Sequence, residues 1–311
     1  MKICLAGEGA QGLTHVEALR NIEGVEVVTL AGGVEADAAG FARQWKIPHY
    51  SLDLEECLKQ PGVEAVVLTT PNQVHASQTE MALNMGKHVL VEIPMGLTLE
   101  ESERVAELEE KTGLVCMVCH TQRYDPAYRE VHRLVKEGEL DLYQIVSETY
   151  FLRRENVNRF GKRRTWTDNL LWHQGCHVVD FIYWLFEEPD MEVWAQTGPD
   201  HPQLGIPMDV TIGMRSKRGC LVSAVLSFNH YGPIVVSYRF VGEENTLLLQ
   251  RGKLMDHEGK EIAVEGPCVE TQDREFFSAI KEGRKPLTSC KACLPDMRIL
   301  DRIQRCVDAR G

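Results

Sequence analysis

The chain has 311 residues, 43% of them hydrophobic and 26% charged, the profile of a globular protein large enough for two cores. Its formal net charge of -12 is the wrong sign for nucleic acid or an anionic membrane surface, but leaves a small anionic substrate open if basic residues cluster locally. No apolar run reaches the roughly 18 residues that span a bilayer, and the N-terminus lacks the pattern of a cleavable leader, so a cytoplasmic location is expected.

From the N-terminus, short β-rich runs alternate with helical periodicity. "KICLAG", "VEVVTLAG", "VEAVVLTT", "KHVLVEIP" and "GLVCMVCH" read as strands. "AQGLTHVEALRNI", "ADAAGFARQW", "HASQTEMALNMG" and "TLEESERVAELEEKTG" read as helices, the last opened by a Thr98–Glu101 capping box and closed by Gly113. Strict alternation predicts an α/β domain over residues 1–120, a doubly wound parallel sheet of the Rossmann type. Over residues 121–311 a helix, "DPAYREVHRLVKEG", and the run "YQIVSETYFLRR" lead to a helix near 169–186. Strand then follows strand to about 265, and two helices near 272–282 and 293–309 close the chain. This predicts an α+β domain with a mostly antiparallel open sheet, with the final helices able to pack back on the first domain.

Ten cysteines include two C-x-x-C pairs, Cys116/Cys119 and Cys290/Cys293. Residues three apart on a strand point to opposite faces, poor geometry for a shared metal, so reduced thiols are expected rather than zinc. Gly7, Gly9 and Gly12 form G-x-G-x-x-G between the first strand and the first helix. Gly7 permits the turn, Gly9 lets backbone approach a pyrophosphate, and Gly12 lets helix and strand close up, with Ala10 and Gln11 opening the helix toward the phosphates. The second strand ends in Ala31-Gly32-Gly33 with no acid before Glu35 and no Arg or Lys, which places NADP ahead of NAD.

The segment "TTPNQVHASQTEMALNMGKHVLVEIPMG" resembles the T-P-N-x-x-H … G-K-H-V-x-x-E-K-P stretch of the glucose–fructose oxidoreductase/inositol dehydrogenase family. "HTQRYDP" and "LLWHQGCHVVD" follow in family order, so the resemblance covers the chain. It implies hydride transfer between a nicotinamide and a hydroxyl-bearing carbon. It also implies cofactor contacts from Thr70, Pro71, Asn72, Glu92 and Ile93, and a homodimer or homotetramer built through the open sheet. His75 either touches the cofactor or caps the helix it opens. The family's E-K-P lysine is Ile93 here. Together with "YFLRREN" and "RTWTDNLLWH", E-I-P is similar to a branch that oxidises a cyclic hemiacetal dicarboxylate from aromatic degradation to a lactone. A sugar, polyol or other acid as substrate is the alternative, and a sensor that binds dinucleotide without turnover is a second.

His177 aligns with the histidine of the family's D-x-G-x-H motif and is expected to act as general base, with His173 orienting it or binding substrate. An imidazole, with a pKa near 6.5, suits proton removal near neutral pH. The pair is not H-E-x-x-H, so no metal is expected. Between 151 and 169 lie Arg153, Arg154, Arg159, Lys162, Arg163 and Arg164 against Glu155 and Asp168. Arg153, Arg154 and Arg164, with Arg123, are expected to bind substrate carboxylates, the alternative being a solvated loop. Tyr124 and Trp166 are expected to wall a flat ring, and Thr167, Asp168 or Asn169 to cap the histidine helix.

Overall fold

The computed structural model describes residues 1–157, 161, 163, 164 and 166–309; Arg159 and Lys162 lie outside the described residues. The described chain divides into two compact units, one of residues 1–121 and 267–294, the other of 122–157, 161–266 and 295–309.

In the first unit β1 (Lys2–Ala6), α1 (Ala10–Leu19), β2 (Glu26–Ala31), α2 (Glu35–Trp45), β3 (His49–Ser51), α3 (Leu54–Leu58), β4 (Val63–Leu68), α4 (His75–Asn84), β5 (His88–Val91), α5 (Leu99–Thr112) and β6 (Cys116–Val118) follow one another. The six strands pair in parallel in the order β3-β2-β1-β4-β5-β6. Every residue of β1 after Lys2, and all of β5 after His88, is buried, as expected for a sheet covered on both faces. The order reverses at β1, which pairs with both β2 and β4, and loops after those strands converge beside this switch point. β3 and α3 were not legible in the sequence: each is five residues or fewer, too short for a period to show.

The α5 cap forms as its sequence implies, with Thr98 Oγ1 accepting from Glu101 N at 3.1 Å and Gly113 left-handed at φ +68°. Such a cap is worth about 1 kcal/mol. Glu101 reaches back one residue further than the expected box, to Leu97 N at 2.7 Å. The thiols of Cys116 and Cys119 face different partners. Cys116 Sγ lies 3.0 Å from Cys290 Sγ, while Cys119 lies 4.0 Å from His15 Nε2.

The second unit contains α6 (Pro126–Lys136), β7 (Leu142–Tyr150) and α7 (Cys176–Phe186), then β8 (Glu192–Thr197), β9 (Asp209–Arg215), β10 (Leu221–Ser227), β11 (Val235–Gly242), β12 (Thr246–Gln250), β13 (Lys253–Met255) and β14 (Glu261–Ile262). Helix α8 (Cys268–Glu282) belongs to the first unit, where it lies against α1; α9 (Leu294–Asp308) runs almost wholly in the second. The eight strands order as β14-β13-β12-β11-β7-β10-β9-β8, antiparallel except for β7 with β10. One face is closed by an aromatic cluster in which Phe181 of α7 meets Tyr128 of α6 edge-on at 4.9 Å and Tyr238 of β11 at 5.3 Å. Tyr143, Trp194 and Leu221 are each about half exposed on sheet strands that otherwise alternate buried and open.

Candidate active site

The glycine turn of the first unit is fixed by backbone. Gly7 sits at φ +106° and donates its N–H to Ala31 O at 2.8 Å. A Cβ there would lie 2.5 Å from Thr69 Oγ1, and one on Gly12 would lie 2.0 Å from Gly7 O. A Cβ on Gly9 meets nothing within 4 Å. That open space adjoins the N-terminus of α1, which has no side-chain cap and no acid in its first turn. Asn72, buried beside the end of β4, has neither amide atom hydrogen-bonded among the described residues. An empty approach to the turn, an anion-friendly helix start and an orphaned carboxamide fit a dinucleotide; these residues would hold its phosphates and a polar edge.

The remaining first-unit residues lock this edge. Thr69 Oγ1 donates to Ala6 O at 2.8 Å, and Thr70 Oγ1 to Gln78 Oε1 at 2.5 Å. Pro71 leads into the short turn Asn72–Val74. His75 opens α4, but its ring is held between Pro94 O at 2.9 Å and Thr70 O at 2.8 Å, and burial pushes its pKa down. It therefore ties the loop after β4 to the one after β5. Ile93 is buried and precedes a cis proline.

Glu92 is the centre of a network that the sequence did not reveal. Its Oε1 accepts from Gln11 Nε2 at 2.9 Å and faces His15 Nε2 at 3.1 Å; the other ring nitrogen of His15 faces Asp273 Oδ2 at 2.8 Å. Carboxylates only accept, so both contacts require a doubly protonated ring. Burial opposes that charge, but Asp273, with help from Cys119 and Glu92, outweighs it and raises the His15 pKa well above its ordinary value. Burial likewise opposes the charge on Glu92, yet the hydrogen bond and charge of His15 hold its pKa below the usual range. The raised histidine stabilises the fold fully below its unfolded pKa near 6.5, and that contribution fades as pH climbs through the folded value; the lowered carboxyl contributes above about 4.3 and fades on acidification. Asp273→Asn is expected to cost about 3 kcal/mol and to flatten the alkaline decline, read from urea midpoints at neutral and alkaline pH.

In the second unit the four expected arginines separate. Arg123 is buried and bonds Asp180 through Nε at 3.0 Å and Nη2 at 2.6 Å, its guanidinium also lying over Trp184. Tyr124 beside it is buried. Arg154 reaches Asn229 Oδ1 at 2.8 Å and stacks on Tyr231. Arg153 and Arg164 converge on one carboxylate: Nη1 of each donates to Asp168 Oδ2, at 3.0 and 2.7 Å. Arg153 also lies 4.4 Å over the Phe228 ring, and Arg164 5.7 Å from that of Trp166. His173 Nε2 is 4.0 Å from the same Asp168 oxygen. Burial would push the Asp168 carboxyl up, but His173, Arg153 and Arg164 together hold it below the usual carboxylate range.

Asn169, not Asp168, caps the histidine helix, accepting from Leu171 N at 2.9 Å and Trp172 N at 3.2 Å. The two histidines do not share one regular α-helical segment. His173 lies in a π-turn, Leu171–Gly175, and His177 in the first turn of α7. The wider turn changes the direction of His173 relative to an α-helical i, i+4 neighbour; such insertions recur at functional sites. Both histidines are half-buried.

With these features in place, residues 1–120 match the oxidoreductase family with an NAD-binding Rossmann fold, and residues 126–267 match the bacterial oxidoreductase C-terminal family. The chain belongs to the glucose–fructose oxidoreductase/inositol dehydrogenase family and is a nicotinamide-dependent dehydrogenase. It is 39% identical, over the full length of both chains, to a 4-carboxy-2-hydroxymuconate-6-semialdehyde dehydrogenase of Sphingobium sp. strain SYK-6. It is 33% identical to the NAD(+) scyllo-inositol 2-dehydrogenase of Bacillus subtilis over 45% of this chain and 41% of that one. The fold matches a scyllo-inositol dehydrogenase from Lactobacillus casei, solved with NAD(H) and scyllo-inositol, at a TM-score of 0.82 and 19% identity, covering 100% of this chain and 98% of that one. No helix among the described residues is long and apolar enough to cross a membrane.

Proposed function

We propose that this dehydrogenase oxidises the cyclic hemiacetal of 4-carboxy-2-hydroxymuconate-6-semialdehyde to 2-pyrone-4,6-dicarboxylate, a step in aromatic degradation. The observation that carries the reading is Arg164. With Nη1 on Asp168, its Nε and Nη2 groups are buried and make no hydrogen bond among the described residues. That edge is the guanidinium fork that matches a carboxylate with two parallel hydrogen bonds. Among the described residues two arginines share one acid, an excess of positive charge that an anionic substrate would neutralise.

A dinucleotide held at the glycine turn of Gly7, Gly9 and Gly12 would supply the hydride acceptor. His177 takes the proton from the hemiacetal hydroxyl as its carbon–hydrogen bond breaks, so that the electrons of the O–H bond form the lactone carbonyl and no full oxocarbenium charge develops. His173, tied electrostatically to Asp168, orients the reacting oxygen. Arg164 and Arg153 hold carboxylate, with Trp166 beside the ring; Arg123, engaged with Asp180, shapes the wall behind α7 together with Tyr124. Ile93 offers no proton in place of the family lysine, which leaves acid–base work to the histidines. The half-exposed apolar residues Tyr143, Trp194 and Leu221 supply the face through which the open sheet pairs with a second copy.

The direct test is incubation of the ring-cleavage semialdehyde with purified protein and NAD or NADP, with the product identified by mass spectrometry. Formation of the pyrone dicarboxylate with reduced nicotinamide supports the reading; binding of both ligands with no reduction would make the protein a sensor. Arg164→Ala is expected to raise KM for the dicarboxylate about tenfold or more while leaving neutral hemiacetals nearly unchanged, since a charge-assisted bidentate contact is worth at least about 1.5 kcal/mol. Equal effects on charged and neutral substrates would return the basic stretch to a structural role.

A further inference from the structure

The end of β2 has no acid of its own, but the fold brings one there from the glycine turn. Glu8, between Gly7 and Gly9, places Oε1 3.0 Å from the N–H groups of Gly33 and Val34 and Oε2 3.0 Å from that of Gly33. Gly7 N–H bonded to Ala31 O fixes the turn against that strand end. The carboxylate lies against the glycine pair: a Cβ on Gly32 would be in ordinary contact with Glu8 Oε2 at 3.5 Å but would clash with Ala38 Cβ at 2.4 Å, and one on Gly33 would lie 3.7 Å from Oε1. No Lys or Arg occurs between residues 31 and 42, while α2 carries Glu35 and Asp37 in its first turn. Among the described residues no cation pairs with Glu8.

We propose that Glu8 sets the cofactor preference, favouring the free 2′-hydroxyl of NAD over the 2′-phosphate of NADP. In Rossmann sites an acid near the end of the second strand accepts from the adenosine ribose hydroxyls. Glu8 does this from another segment. Its carboxylate has more acceptor positions than the two N–H groups fill, so it can take a ribose hydroxyl without leaving them. A 2′-phosphate brings close to two negative charges and no donor. It must either sit against Glu8, Glu35 and Asp37, or displace Glu8 from Gly33 and Val34 and remain close to the expelled charge.

Dissociation constants of NAD and NADP measured by calorimetry on the purified chain test this without turnover. The wild-type protein is expected to bind NAD more tightly than NADP. Glu8→Gln, which keeps shape and removes charge, is expected to shift the NADP-to-NAD affinity ratio toward NADP by about tenfold, and Glu8→Ala at least as far, with circular dichroism unchanged. A wild-type chain that prefers NADP, or a ratio that stays put in both variants, overturns the role of Glu8 while leaving dinucleotide binding intact. Failure of both dinucleotides to bind would overturn the cofactor site as a whole.

Discussion

Replacement of His177 by asparagine is expected to lower kcat by about 10²–10⁴-fold while the dissociation constant of the nicotinamide cofactor stays within about twofold of wild type. Asparagine keeps a polar group of similar reach but cannot take up a proton near neutral pH, so only the proton-transfer step should suffer. His177 lies in the first turn of α7, in the second unit, whereas the dinucleotide elements belong to the first. Pre-steady-state absorbance of the reduced nicotinamide separates the two effects: the hydride step slows while cofactor titration is unchanged. Turnover close to wild type would remove this imidazole from the mechanism and pass the proton to His173 or solvent.

The second large effect is expected at the glycine turn, where two alanine substitutions should both weaken cofactor binding but differ in stability. Gly12→Ala forces a methyl to 2.0 Å from Gly7 O and 3.2 Å from Thr69 Oγ1. The carbonyl cannot yield easily, because Gly7 is pinned to Ala31 and Thr69 Oγ1 bonds Ala6 O. Helix α1 must therefore lift from the sheet, at a stability cost of about 2 kcal/mol, with cofactor affinity falling tenfold or more as the turn opens. Gly9→Ala meets no protein atom within 4 Å, so its melting temperature should match wild type while its cofactor affinity still drops. Thermal melts and calorimetric titration on both variants check the pair. Unchanged affinity in Gly9→Ala would mean that the open space beside this glycine is not where the pyrophosphate lies.

Much of the fold was legible because its information is local. Short apolar, β-rich runs gave β1, β2, β4, β5 and β6, period-3.6 runs gave α1, α2, α4 and α5, and Thr98 and Gly113 marked the ends of α5 at fixed offsets. The last helices were placed within a few residues, though α8 starts at Cys268, four residues before the expected position. The short β13 and β14 left no trace, since two or three residues cannot display an alternation.

The sequence by itself determined the order of elements, the glycine turn, and the residue types available for proton transfer and carboxylate binding, because each depends on neighbours a few positions apart. Only the tertiary structure decided which of those residues meet. Composition could not tell that, of four arginines, Arg123 bonds Asp180 while Arg164 keeps a fork unused among the described residues, nor that one acid, Asp168, would serve two of them. It could not bring Asp273 to His15 across 258 positions, or Glu8 to Gly33 across 25. Such pairings are set by how sheets and helices stack, and side-chain charge then acts over a few ångströms of space whatever the distance along the chain.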